Sequence, residues 1–359
     1  MTFQAHADVH AFEFERAPVP FAASEPNAAG AILDLRGELS VRLRPVHADG
    51  TCEARVRYAL HGAAGAPVVI VQGGISADRD AVTTAAGEAG WWSAIAGPGY
   101  AIDTRRCRVL SIDWLELADL DGAHAVDSAD QAEALAAVLD ALGLRRAHAF
   151  VGSSYGAMVG LAFAARHPQR LGHLVAIAGA HRAHPLSVAV RNIQREVVRL
   201  GARLGDVDAG LDLARRLAMT TYRGEREFAE RCAEAPVFED GRFRFAEESW
   251  LKAAGARFVQ RFGAGRYLAL SESIDLHRVE PEDVRVPTTL IGISTDRVVP
   301  LADLCELQRR CGAAAALHVI DSRYGHDAFL KEDAQISALL RDCDPLSSQS
   351  HCPAGAVRW

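Results

Sequence analysis

The pentapeptide Gly152-Ser153-Ser154-Tyr155-Gly156 stands between the apolar run Ala147–Val151 and the small-residue-rich stretch Ala157–Arg166. G-x-S-x-G at a strand-to-helix junction is the sequence form of a nucleophile elbow, a turn that lifts a serine hydroxyl clear of the backbone. Its glycines permit the crowded dihedrals that such a turn needs. The string alone discriminates poorly, because Gly and Ser are common and many such strings are plain turns. Order along the chain adds the missing weight.

An elbow serine needs an imidazole to take its proton and a carboxylate to hold that imidazole, supplied here in the order Ser, Asp, His. Asp296 follows the β-like run Thr288–Ile293. His326 follows the run Leu317–Ile320 across a short loop, Asp321–Gly325. Both fall just past a predicted strand, where the functional groups of open α/β sheets gather. Singly, such an Asp serves as a helix cap and such a His as a surface group. Together, three roles in the right order point to a catalytic Ser154–His326–Asp296 triad. The Tyr155 backbone N–H is one expected oxyanion donor. The other should come from the loop after the predicted strand Pro67–Val71, at Gly74 or Ile75, a role compatible with a tight turn at Gly73-Gly74. No H-E-x-x-H, clustered His/Cys or G-x-G-x-x-G after a strand is present, so no metal or nicotinamide site is expected.

The chain has 359 residues, 49% hydrophobic and 24% charged, enough for one large α/β domain with an inserted subdomain. A net charge of −7 argues against nucleic acid or an anionic membrane as partner. Seven scattered cysteines without C-x-x-C fit reduced, intracellular use. Met1–Arg16 carries Asp8, Glu13 and Glu15 and lacks a basic region followed by an apolar core, so no signal peptide is expected. No apolar run nears the roughly 20 residues that span a bilayer. The expected location is the cytoplasm.

Residues 1–36 read as an N-terminal arm. Residues 37–184 read as the first part of an α/β core. In it, Leu39–His47 and Arg55–Leu60 alternate as an edge hairpin, and Pro67–Val71, Arg108–Ile112, Ala147–Val151 and Leu174–Ala178 form buried parallel strands. Ser128–Leu142 has helical spacing, with Gly143 as its cap. Across residues 185–280 strand signals vanish, and helices are predicted at Ser187–Leu200, Leu211–Ala218, Glu225–Cys232 and Glu247–Arg261, a block that reads as a lid. Residues 281–343 resume the core and end in a predicted helix, Asp327–Leu340. Residues 344–359 read as a frayed tail.

Several further stretches resemble one family, the homoserine O-acyltransferases of the α/β-hydrolase superfamily, from about Gly73 to Leu330. They are Gly90-Trp91-Trp92 with Gly97-Pro98-Gly99 and Ile102-Asp103-Thr104; Ala218-Met219-Thr220-Thr221-Tyr222-Arg223; Arg261-Phe262 with Tyr267-Leu268-Ala269-Leu270; Asp296-Arg297 with Pro300; and Tyr324-Gly325-His326-Asp327-Ala328-Phe329-Leu330. The chain departs from the family pattern at Tyr155, Ala157, Gly263 and the loop Gln72-Gly73-Gly74-Ile75-Ser76, and its connection Trp114–Val126 is short.

The resemblance implies an α/β-hydrolase fold and transfer of an acyl group from acetyl-CoA or succinyl-CoA to L-homoserine, within methionine biosynthesis, by way of a Ser154 acyl-enzyme and without a bound cofactor. It implies Arg195 on the substrate carboxylate, Asp327 on its ammonium, Tyr222 as a third contact, and a homodimer paired through the lid. Arg191 and Arg199 are expected to be solvated or paired with Glu196, the pair Trp91-Trp92 to pack, and His181, Arg182 and His184 to form a polar loop, with lining of the pocket as the alternative. A succinyl donor would call for an extra pocket cation, for which Arg297 is available. L-Serine as acceptor, and water in an esterase or thioesterase, stay open.

Overall fold

The computed structural model describes residues 32–343. The strands are β1 (Ile32–Leu43), β2 (Cys52–Ala63), β3 (Val68–Gln72), β4 (Arg108–Ile112), β5 (Ala149–Ser153), β6 (Leu174–Ile177), β7 (Thr288–Ile293) and β8 (Ala315–Ile320). They form one sheet in the order β1-β2-β4-β3-β5-β6-β7-β8. β1 and β2 pair antiparallel and β2 meets β4 antiparallel, while every pairing from β4 to β8 is parallel. The crossover order places the ends of β3, β5, β7 and β8 on one edge, and those ends carry the residues of interest.

Neighbouring side chains of one strand must face opposite sides of the sheet. In β3, Val68 and Ile70 enter the core formed with helices α1 (Ser128–Ala141) and α2 (Tyr155–Arg166), and Val69 and Val71 enter the core on the other face. Covering both faces explains the unbroken apolar runs of the parallel strands.

Between β6 and β7 the chain leaves the sheet as helices α3 (Pro185–Arg203), α4 (Val207–Tyr222), α5 (Glu225–Arg231), α6 (Ala246–Val259) and α7 (Ala264–Leu276). Its two ends are tied together: Val279 N–H donates to the His181 carbonyl at 2.9 Å, and Arg182 bridges Arg278. Just past α7, buried His277 bonds the Ser128 hydroxyl at 2.7 Å and the Ala180 carbonyl at 3.1 Å, with burial holding its pKa down at about 4. The end of the helical block is thus tied to the core by a neutral, fully bonded histidine. Helix α8 (Leu301–Arg310) and helix α9 (Asp333–Asp342) complete the core.

Four expectations need correction. Residues 32–36, read as part of the arm, begin β1, paired with β2 from Ile32 onward; the rest of the arm and the 344–359 tail lie outside the described residues. The helical block holds a two-stranded hairpin, Val237–Glu239 with Arg242–Arg244, turning at Asp240-Gly241, both at positive φ. The sequence marks α7 only by the motif Tyr267-Leu268-Ala269-Leu270, because its mixed small and polar residues blur the apolar stripe that marks a helix. The final helix predicted at Asp327–Leu340 is broken: Gly325–Leu330 makes a tighter 3-10 turn, and α9 starts afresh at Asp333.

Candidate active site

The elbow is built by close approach of backbone to backbone. A Cβ on Gly156 would stand 2.1 Å from the Gln72 carbonyl oxygen, and one on Gly152 2.2 Å from the Gly156 oxygen, so only glycine fits either place. The Gly156 N–H donates to the Gly73 carbonyl at 2.8 Å and the Ser154 N–H to Ile177 at 2.8 Å. Ser154 is thereby held at φ 54°, ψ −116°, a conformation a non-glycine residue adopts only under such restraint. Its neighbour's side chain secures the turn from behind. The buried Tyr155 ring meets Trp114 edge-on at 4.8 Å, and its hydroxyl lies 2.6 Å from Ser273 of α7.

Ser154 Oγ lies 2.8 Å from His326 Nε2, and His326 Nδ1 lies 2.7 Å from Asp296 Oδ2. The second Asp296 oxygen accepts the N–H groups of Val298 at 2.7 Å and Val299 at 3.0 Å. Asp296 therefore caps nothing in α8, which starts after Pro300; its carboxylate is turned wholly to the histidine and its own loop. The 3-10 turn bearing His326 is pinned by the indole N–H of Trp92, which donates to the Phe329 carbonyl at 3.0 Å, and Trp91 stacks on Trp92 at 5.3 Å. Both tryptophans pack, as expected. Burial works against the His326 imidazolium, but the charge and hydrogen bond of Asp296 outweigh it, Asp327 adds to them and Arg191 opposes, leaving the pKa above its ordinary 6.5.

Gly74 lies against the nucleophile: a Cβ there would be 3.9 Å from Ser154 Cβ. Its carbonyl accepts from Ala77 N–H and the Trp114 indole at 2.9 and 3.0 Å. Among the described residues the N–H groups of Gly74 and Ile75 meet no protein acceptor. That of Tyr155, first in α2, has no carbonyl one turn earlier to bond. Free donors near Ser154 are what a developing oxyanion requires.

The pocket above Ser154 is walled by Tyr155, Met158, Ala178, Arg182, Ala183, His184, Arg191, Tyr222, Ile274, Val298, Val299, Asp303 and His326. Tyr222 is present as expected, its ring centroid 5.6 Å from that of His326. Arg195 and Asp327 stand differently. Arg195 is buried behind the wall, donating to the Ser271 carbonyl at 3.0 Å and to Asp275 at 2.6 Å. Asp327 meets Arg223 Nε at 2.8 Å, with Arg223 also held by Glu227. Arg297 is more than half exposed toward Glu225 and supplies no pocket charge. Arg199 pairs with Glu196 as expected, but Arg191 does not; it lies in the wall. Of the loop residues, Arg182 and His184 line the wall, the alternative to a plain polar loop, while His181 does not; Asp303 was missed. The spacing Ser187, Arg191, Gln194, Arg195, Val198 was the available signal, since these residues share the buried face of α3.

The sequence profile of the alpha/beta hydrolase fold matches residues 66–333. Over 307 residues the chain is 50% identical to a homoserine O-succinyltransferase of Xanthomonas campestris pv. campestris, covering 85% of this chain and 83% of that one. The chain belongs to the homoserine O-acyltransferase family of the α/β-hydrolases. It is also 31% identical to a serine O-succinyltransferase of the same organism, over 81% of this chain and 93% of the other. A homoserine O-acetyltransferase from Bacillus anthracis superposes with a TM-score of 0.76 at 18% identity, over 86% and 98% of the two chains, a likeness of fold. No helix among the described residues is long and apolar enough to cross a membrane.

Because His326 must be neutral to accept the serine proton, acylation of Ser154 should fall as the pH drops through a value above 6.5. Asp296→Asn should slow it by roughly 10³–10⁴-fold and move that limb to lower pH. Burst release from an activated ester across pH measures both; an unchanged burst in Asp296→Asn would contradict the arrangement.

Proposed function

We propose that the chain transfers an acyl group from acyl-CoA to the hydroxyl of L-homoserine by way of a Ser154 ester. The observation that carries this reading is a preassembled Ser154–His326–Asp296 relay opening into a pocket beneath the helical block, whose wall holds charged side chains with buried atoms that meet no protein partner. Arg191 Nη2 and Asp303 Oδ2 are both buried and unbonded. A hydrolase that delivers water has no use for such groups, and leaving them unpaired costs about 1–3 kcal/mol each. A charged acyl group or a zwitterionic amino acid would satisfy them.

In the first half-reaction His326 takes the Ser154 proton as Oγ attacks the thioester carbonyl. The N–H of Tyr155 and one from Gly74 or Ile75 receive the oxyanion. The carbon–sulfur bond then breaks, and His326 returns the proton to the departing CoA thiolate. In the second, His326 takes the proton of the homoserine hydroxyl, whose oxygen attacks the acyl carbonyl. Collapse releases the O-acyl amino acid, and the proton goes back to Ser154. Asp296 holds Nδ1–H throughout and stabilises the imidazolium. The reading needs no bound cofactor, metal, membrane or nucleic acid, and its place is cytoplasmic methionine synthesis. Tyr222 stays an acceptor contact; Asp327 would have to exchange Arg223 for the ammonium, which leaves Asp303 the freer anion.

Homoserine is favoured over serine as acceptor, since one organism holds relatives of both names and this chain is 50% identical to the first against 31% to the second. Succinyl-CoA is favoured as donor by the name of the first relative and by the unbonded Nη2 of Arg191 in the wall, where Arg182 is instead paired with Glu306. Thiol release with L-homoserine or L-serine, from succinyl-CoA or acetyl-CoA, tests this. Release should require homoserine, be fastest with succinyl-CoA and vanish in Ser154→Ala. Equal release without an amino acid would leave a thioesterase.

A homodimer fits the helical block. Ser187, Arg191, Gln194 and Arg195 of α3 face inward, whereas Leu186, Ile193, Leu200 and Leu204 are exposed along its outer side, with Phe238, Phe243 and Phe245 exposed on and beside the hairpin. An apolar stripe outside a polar inner face suits a second copy of the chain. Light scattering should give twice the chain mass, reduced to one by Leu200→Glu with Leu204→Glu; a wild-type monomer would refute it.

A further inference from the structure

Arg191 is 5% exposed and shares the pocket wall with Ser154, Tyr222 and His326. Its Nε donates to Asp275 Oδ1 at 2.6 Å, and the other oxygen of Asp275 receives Arg195 Nη1 at 2.6 Å. One carboxylate therefore serves two guanidinium ions. The cluster keeps a positive charge in excess, and Arg191 Nη2 is buried with no acceptor. The other anions near this end of the pocket are engaged: Asp296 by His326, and Asp327 by Arg223. Asp303 forms no ion pair among the described residues. A desolvated guanidinium edge without a partner is costly to keep. It becomes favourable when a ligand brings an anion, and its planar fork suits a carboxylate.

We propose that Arg191, oriented by Asp275 and backed by Arg195, is the pocket's carboxylate anchor, taking a ligand's carboxylate while the acyl group rests on Ser154. This moves the anchor one helical turn from Arg195, where the family resemblance had placed it. The inference rests on the acyl-transfer reading. Two ligands carry such a carboxylate: the far end of a succinyl group, and the amino acid acceptor.

The test compares wild type with Arg191→Met and Arg191→Lys, each checked by thermal unfolding. Donors are succinyl-CoA and acetyl-CoA, and acceptors are L-homoserine and its decarboxylated analogue aminopropanol. Arg191→Met should collapse the preference for the carboxylate-bearing ligand by about 10²-fold in kcat/KM, while the carboxylate-free counterpart changes little. Arg191→Lys, which keeps the charge but not the fork, should lose less and decides the matter if the Met variant does not fold. Collapse of the succinyl-over-acetyl preference assigns the donor. Collapse of the homoserine-over-aminopropanol preference with either donor assigns the acceptor. Equal loss with every ligand in a folded variant, or no loss, overturns the anchor. A wild type that transfers nothing to homoserine instead sinks the acyl-transfer reading itself.

Discussion

The N-terminus of α2 comes so close to the end of β3 that no side chain fits between them, and the site depends on that approach. Gly156 against the Gln72 carbonyl, and its N–H on Gly73, fix both the strained Ser154 and the loop that carries Gly74. The strain is held by paired backbone rather than by the serine's own preferences. Everything that meets Ser154 is then set relative to that one junction: His326 from beyond β8, Asp296 from beyond β7, and Tyr155 tied to α7 through Ser273. The sheet supplies convergence, because its crossover order brings the carboxyl ends of separate strands to one edge.

Over that edge lies a helix with an unusual division of faces. A surface helix ordinarily turns its apolar stripe to the core. Helix α3 turns Ser187, Arg191, Gln194 and Arg195 inward and its leucines outward. Ser187 bonds the Val298 carbonyl, Gln194 accepts from Tyr267, and Arg195 Nη1 bonds Ser271 and Asp275. Of these four residues Arg191 is the one with a fully buried polar atom, Nη2, that has no partner. The nucleophile therefore lies under a partly polar ceiling.

Most of this was legible in the chain, for identifiable reasons. Buried parallel strands announce themselves as continuous apolar runs, so Arg108–Ile112 falls where it was read, and the elbow and the two residues past later strands are marked by local chemistry. What stayed hidden was set by tertiary partners. Nothing in the spacing Arg191-Arg195-Arg199 says that a distant Asp275 will hold the first two, or that Arg191 rather than Arg195 will stand in the pocket wall. Asp327 likewise meets Arg223, which follows the end of α4. The break at Lys331 that parts the His326 turn from α9 lies beside a contact across most of the chain, between Trp92 and Phe329, that no local spacing announces.

The central claim is that Ser154 carries the acyl group between two partners. Mass spectrometry of the protein mixed with succinyl-CoA in the absence of amino acid tests it most directly. A single succinyl group on the peptide containing Ser154, discharged when L-homoserine is added, is the predicted result. No adduct under conditions that support turnover, or an adduct on another residue, would contradict it.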